Sequence, residues 1–105
     1  MWSVEPLNEM VAQELRRLPE DVRVRLTTIS GMLERIGPDV GMPHVRPLGR
    51  KLWEMRLRGH KGDWRAIYVA AENRRFVVLL VFAKKTRKTP KRELDLALKR
   101  WRETR

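Results

Sequence analysis

Apolar residues recur at helical spacing in two segments of the first third of the chain. The first stripe, between Pro6 and Leu18, consists of Leu7, Met10, Val11, Leu15 and Leu18. Residues three or four apart lie on one face of a helix, so this stripe predicts an amphipathic helix that ends before Pro19. A second stripe of the same kind runs from Val22 to Ile36 and stops at Gly37-Pro38. We predict a helical hairpin, preceded by a short strand at Trp2 to Val4.

The segment 37–49 has the composition of a loop. Its sequence, GPDVGMPHVRPLG, holds three glycines and three prolines in thirteen residues. Glycine and proline interrupt regular elements, so we predict a loop that connects the helical part of the chain to a part with strand patterning.

Three later segments have the patterning of β-strands. In the first, apolar Trp53, Met55 and Leu57 alternate with charged Glu54, Arg56 and Arg58. Such alternation is typical of a strand with one face in the core and the other in solvent. The second and third segments are WRAIYVAA and FVVLLVF, and short polar turns join the three into a meander. The third is apolar throughout, which predicts an internal strand covered on both faces.

The last segment has the pattern of a helix. Thr89-Pro90 matches an N-cap followed by proline at the first helical position, and the apolar stripe consists of Leu94, Ala97, Leu98 and Trp101. The predicted fold class is α+β, with an N-terminal strand and helical hairpin packed on an antiparallel sheet, the three-strand meander, and a C-terminal helix. We expect one domain, residues 1–105.

Charge narrows the class of partner. The chain has 24 Lys and Arg against 13 Asp and Glu, a net charge of +11. This excess favours a polyanion, with nucleic acid first, an acidic protein second and an anionic membrane third. The absence of cysteine excludes disulfides, a thiolate nucleophile and Cys-based zinc sites. No apolar run approaches a membrane span and the N-terminus lacks a signal-peptide pattern, so we expect a cytoplasmic protein with no membrane partner.

Two arginines of the predicted meander are candidates for an anion site. Arg56 and Arg65 lie on consecutive strands, on either side of one turn, so they come within about one residue of facing each other. Arg65 stands between Trp64 and Ala66 in an otherwise apolar strand. An arginine there needs a partner or a cleft that receives an anion. The alternative is a pair of solvated strand arginines.

The densest basic run follows the third strand directly. Six Lys and Arg fall within the nine residues from Lys84 to Arg92. One or two charges at the end of an apolar strand can act simply against aggregation, whereas the whole run is better explained as a patch for phosphates. Because the sheet fixes the local backbone, Lys84 and Lys85 are the candidates to complete a site with the two arginines.

The histidines and carboxylates give no indication of a metal site or a catalytic acid–base pair. His44 and His60 each stand alone, and the carboxylates of the C-terminal half lie mostly in turns or in the last helix, so we predict no metal and no cofactor. His60 is more readily explained as a surface residue than as a general acid or base. Trp2 or Tyr68 is available to stack on a base. The remaining tryptophans fall on apolar stripes and are predicted to be core: Trp53, Trp64 and Trp101.

The patterns LWEMR, WRAIY and FAKKT, followed shortly by Thr-Pro, occur in this order over about half of the chain. Together they resemble the RelE/HigB toxin superfamily, in its phage-derived HigB-like branch. The resemblance implies a type II toxin that cleaves mRNA, usually in the decoding site of a translating ribosome. It also implies a cognate antitoxin, a small helix-turn-helix protein through which alone the toxin reaches promoter DNA.

The resemblance assigns residues as well. Arg56, Arg65 and Lys85 match basic positions that in some relatives bind and polarise the scissile phosphate, and Lys84 is the neighbouring alternative. We assign further RNA contacts to Arg58, His60, Lys61, Arg87 and Lys88. The chain departs from the pattern in two places, at Glu54, where the RelE type has a lysine, and after Lys85, where several relatives keep an aromatic residue or histidine.

The chemistry fits these residues without a metal, because RNA supplies its own nucleophile, the 2′-hydroxyl. Arginine can bind the charged phosphorane through two hydrogen bonds. A lysine can transfer protons if neighbouring cations lower its pKa, and either Lys84 or Lys85 can have this role. Two alternatives stay open: a toxin of the same fold that inhibits gyrase, and a non-catalytic nucleic-acid-binding module. The basic cluster favours an endoribonuclease over the first.

Overall fold

The architecture was obtained as a computed structural model, which describes residues 1–104. In chain order the elements are β1 (Ser3–Pro6), α1 (Glu9–Arg16), α2 (Glu20–Ile36), a 3-10 turn (Gly37–Asp39), β2 (Val45–Gly49), β3 (Leu52–Leu57), β4 (Trp64–Ala71), β5 (Arg75–Ala83) and α3 (Lys91–Glu103). The predicted hairpin is confirmed. Helix α1 starts three residues later than predicted because Asn8 caps it, its Oδ1 accepting a hydrogen bond from the Val11 N–H at 3.0 Å.

One sheet of five strands, in the order β1-β5-β4-β3-β2, forms the centre of the molecule. Strand β1 runs parallel to β5, and every other pair is antiparallel. Strand β5 lies between β1 and β4, which confirms the prediction of an internal strand. The α+β class is therefore confirmed, although the sheet holds two strands more than the meander alone.

The two faces of the sheet carry separate cores. Helices α1 and α2 cover one face, where Val11, Ile29 and Leu33 pack against β-strand residues such as Met55. Helix α3 covers part of the other face, where Ala97 and Leu98 pack with Ile67 and Leu79. Both faces of β5 are thus buried, which explains its unbroken apolar sequence. Within residues 1–104, no helix combines the length and the apolar character that crossing a membrane requires.

The loop prediction for 37–49 is wrong in its second half. Val45–Gly49 forms strand β2, paired with β3 and placed at the edge of the sheet. Proline is tolerated at an edge because its missing N–H can face away from the ladder. The pairing shifts register between Pro47 and Gly49, where Gly49 adopts a positive φ of 87°. The prolines and glycines that indicated a loop therefore mark an irregular edge strand.

Two smaller predictions also fail. Thr89 is not an N-cap, because α3 has Pro90 at that position, no side chain caps it, and the Thr89 hydroxyl bonds elsewhere. Tyr68 is buried in the core, so it is not available to a base. The Trp2 ring stacks on Phe76 with a centroid separation of 4.4 Å. Trp53 and Trp64 pack against one core and Trp101 against the other, as predicted.

Candidate functional site

The strand register brings the two candidate arginines together. Arg56 on β3 is the direct cross-strand partner of Arg65 on β4, which confirms that they face each other. Alternate residues of a strand share a face, so both lie on the α3 side of the sheet together with Glu54. Helix α3 packs on β4 and β5. The arginine pair lies on the same face of the sheet, on the side of β3. Arg56 is half-buried there and Arg65 is 2% exposed.

Glu54 lies at the centre of this cluster of side chains. Its side chain is fully buried, although the alternation of β3 predicted a solvent-facing position. Oε1 accepts a hydrogen bond from Arg46 Nε at 2.7 Å and lies 3.4 Å from Arg65 Nε. Oε2 accepts a hydrogen bond from the Thr89 hydroxyl at 2.8 Å. One carboxylate thus joins β2, β3, β4 and the segment that leads into α3.

Arg65 is held less completely than its burial suggests. Its Nη1 donates a hydrogen bond to the Trp64 carbonyl at 3.1 Å, but among the described residues its Nε has no hydrogen-bond partner. Burial lowers the pKa of Arg65; the Glu54 charge opposes this shift, and the Arg56 charge adds to it. The expected anionic partner is therefore present, yet one N–H remains to be satisfied.

The two candidate lysines differ in position. Lys84 follows β5 directly and is half-buried, and its backbone N–H donates a hydrogen bond to the Asp63 carbonyl at 2.8 Å. The pKa of Lys84 is lowered, first by burial of its ammonium and then by the charges of Arg65 and Arg56. Lys85 is exposed one residue further along. The electrostatic coupling thus connects Lys84 to the arginine pair.

A cleft adjoins the pair near the turn that joins β3 to β4. It has a volume of about 420 Å³ and is lined by Arg25, Pro43, His44, Arg56, Arg58, Asp63 and Arg65. Arg58, a predicted RNA contact, therefore belongs to the cluster. Arg25 comes from α2 and was not predicted, because its position on a solvated helix face carries no signal for the sheet site. Arg46 was missed because the sequence predicted a loop there.

The other predicted RNA contacts do not line the cleft. His60 and Lys61 are exposed in the β3–β4 turn, where the His60 N–H donates a hydrogen bond to Asp21 Oδ2 at 2.7 Å. Arg87 and Lys88 are exposed in the segment between β5 and α3. Across residues 1–104, no three His, Cys, Asp or Glu side chains come together in a way that could hold a metal ion.

Known proteins resemble this chain in both sequence and fold. Residues 13–102 match the family described as phage derived protein Gp49-like (DUF891). The structure of a free Escherichia coli toxin RelE in which two arginines are replaced by alanine superposes with a TM-score of 0.67 at 18% identity, covering 94% of this chain and 96% of that one.

A second solved structure is the archaeal RelE-RelB complex from Pyrococcus horikoshii OT3. Its matching chain superposes with a TM-score of 0.57 at 22% identity, covering 78% of this chain and 93% of that one. A search of curated proteins gives no match. The resemblance proposed from the sequence patterns is thus confirmed, and the chain belongs to the phage-derived Gp49-like family, with the fold of the RelE toxin superfamily.

Proposed function

We propose that the protein is the toxin of a type II toxin–antitoxin system and that it cleaves mRNA on the ribosome without a metal ion. The observation that carries this proposal is the convergence of Arg56, Arg65 and Lys84 at one end of a sheet face. Three cations held together by a rigid sheet form a site for a dianion. A scissile phosphate that becomes a phosphorane is such a group.

The arginines would stabilise the charge of the transition state. Arg56 is half-buried at the cleft and can present its guanidinium to two phosphate oxygens. Arg65 is buried beside Arg56. From this position it would contribute to the positive electrostatic potential at the phosphate more than it would contact the phosphate directly. Groups that are oriented before the reaction cost no reorganisation when the charge develops, which is the main source of such catalysis.

Lys84 would carry out proton transfer. Its lowered pKa increases the neutral fraction, which can accept the proton of the 2′-hydroxyl. The 2′-oxygen then bonds to phosphorus, the bond to the 5′-oxygen breaks, and that oxygen takes up a proton. The products are a 2′,3′-cyclic phosphate and a 5′-hydroxyl end. Lys85 is the second candidate for contact with the phosphate or the leaving group.

Flanking cations would guide the RNA. Arg58 lines the cleft, and four further basic residues are exposed in the β3–β4 turn and after β5: His60, Lys61, Arg87 and Lys88. Together with the net charge of +11, they favour binding of a phosphate backbone from several directions. The proposed setting is the cytoplasm, with mRNA and the ribosome as targets and no membrane partner.

The proposed protein partner is a small helix-turn-helix antitoxin. One structural relative is a RelE in complex with RelB, which supports a partner of this kind. An acidic antitoxin surface would neutralise the basic face and keep RNA away from Arg56 and Lys84. Contact with promoter DNA would occur only through the antitoxin.

Mapping of new RNA 5′ ends after brief expression tests the proposal. Wild-type protein should produce cuts in phase with codons, and Arg56→Ala or Lys84→Ala protein of equal abundance should produce few. Thr27→Val, an exposed substitution on α2, is the matched control and should cut as the wild type does. DNA damage with intact mRNA would instead identify a gyrase inhibitor, and neither effect would leave a binding module.

A further inference from the structure

Glu54 is a fully buried acid at the centre of a basic face, and its position calls for an explanation. A fully buried carboxylate is costly unless charges and hydrogen bonds compensate it. Replacing a buried ionic cluster by apolar side chains is often neutral or stabilising, so stability alone is a weak reason to place one here.

We infer that Glu54 is a positioning residue, which orients Arg65 and, through the Thr89 hydroxyl, holds the segment that carries Lys84 against the sheet. This inference rests on the proposed function, because it concerns the same site. Glu54 contacts no substrate in this scheme, since its carboxylate is buried beneath the cluster.

The first part of the argument concerns the arginines. Arg46, Arg56 and Arg65 all lie around Glu54 on one face, and the first two raise the density of positive charge beside the third. Glu54 Oε1 lies 2.7 Å from Arg46 Nε and 3.4 Å from Arg65 Nε. The carboxylate therefore holds Arg46 and Arg65 in place. Without it, the repulsion between their positive charges would favour positions further apart and closer to solvent.

The second part concerns the segment between β5 and α3. At its start, the Lys84 N–H bonds to the Asp63 carbonyl at 2.8 Å. At its end, the Thr89 hydroxyl bonds to Glu54 Oε2 at 2.8 Å. The sequence in between is polar and exposed from Lys85 to Lys88. These two contacts hold both ends of the segment against the sheet, so the loss of the second would release the end of the segment that follows Lys84 and Lys85.

Thr89→Val tests this part while leaving the buried carboxylate and its contacts with Arg46 and Arg65 in place. The substitution keeps the shape of the side chain and removes the hydroxyl. The assay is steady-state cleavage of a short mRNA on purified ribosomes, with kcat and KM measured separately. Misplacing a catalytic group by about 1 Å can cost up to about 100-fold, and we expect kcat to fall at least about tenfold while KM changes less than about twofold.

Thr89→Ser supplies the decisive control, because it restores a hydroxyl at the same position. We expect it to recover most of the wild-type kcat, which a role in packing alone would not explain. Glu54→Gln should reduce kcat further than Thr89→Val, since it also removes the charge beside Arg65. If Glu54→Gln does not fold, the two Thr89 variants still decide the matter.

The possible outcomes separate the two proposals. Wild-type protein that cuts no RNA overturns the proposed function and, with it, this inference. Wild-type protein that cuts RNA while Thr89→Val cuts equally fast, or while Thr89→Ser is as slow as Thr89→Val, leaves the function in place and overturns the positioning role.

Discussion

Arg65→Met should separate the stability of the fold from its activity. Arg65 is a charged residue in an otherwise apolar strand, and it is 2% exposed. Methionine has a similar length and can pack beside Phe82, the apolar cross-strand partner of Arg65 on β5. We expect the variant to be at least as stable as the wild type and to have lost most of its cleavage activity.

The magnitude follows from the contacts. The variant loses the hydrogen bond from Nη1 to the Trp64 carbonyl, at 3.1 Å, a net cost of ~0.5–1.5 kcal/mol. Glu54 keeps Arg46 Nε at 2.7 Å and the Thr89 hydroxyl at 2.8 Å, so no carboxylate is left unpaired. Burial of the methionine side chain contributes about 1.5–3 kcal/mol. The free energy of unfolding should therefore stay equal or rise by up to about 2.5 kcal/mol.

Glu54→Leu is the contrasting variant. It removes the carboxylate and leaves the buried Arg65 without its counter-charge, which should destabilise the fold by ~3–5 kcal/mol. Guanidinium unfolding followed by tryptophan fluorescence measures both variants, provided that their m-values agree with the wild type. Cleavage by Arg65→Met should fall by about 100-fold or more. A loss of more than about 2 kcal/mol in Arg65→Met would refute this reasoning, because Arg65 would then be an ion-pair partner that the fold requires.

Three further changes test separate features of the site. Lys84→Arg keeps the positive charge but replaces the titratable amine. Cleavage by the wild type should become faster as pH rises through the lowered pKa of Lys84, and this rise should be absent from the pH–rate profile of the variant. An unchanged profile would assign the proton transfer to another group. Arg56→Gln should weaken binding of single-stranded RNA and reduce the slope of log K against log salt by about 0.7, and an unaltered slope would remove Arg56 from phosphate contact. Gly59→Ala would place a Cβ 2.6 Å from the Gly62 carbonyl oxygen and 2.7 Å from Val22 Cγ2, so we expect ~1–3 kcal/mol of destabilisation by overpacking; a thermal midpoint equal to that of the wild type would show that the turn can shift.

The elements with a strong apolar period could be predicted from the sequence. The stripes of α2 and α3 identify the face that each helix buries, and the apolar run of β5 indicates burial on both faces. Edge strand β2 could not be identified, since Pro47 and Gly49 have the composition of a loop and only pairing with β3 reveals the strand. Pairing is a long-range property, which local patterns do not report.

The site was predictable in part for the same reason. Arg56 and Arg65 are separated by one short turn, so the local pattern nearly determines that they face each other. Arg25 comes from a distant helix and Arg46 from the unrecognised strand, so their approach depends on the whole fold. The burial of Glu54 was hidden as well, because alternation indicates which face a residue shares and not whether that face is covered.

Position 54 suggests how the charges of this site are distributed. The resemblance to RelE leads one to expect a lysine here, on the strand itself. This chain instead has a buried acid at that position and half-buried Lys84 at the end of β5, with Arg46, Arg65 and Thr89 bonded to or facing the acid. A cation on the strand needs no anchor, whereas a cation at the start of a polar segment does. The Thr89 variants would therefore test directly whether the buried carboxylate anchors the segment that begins at Lys84.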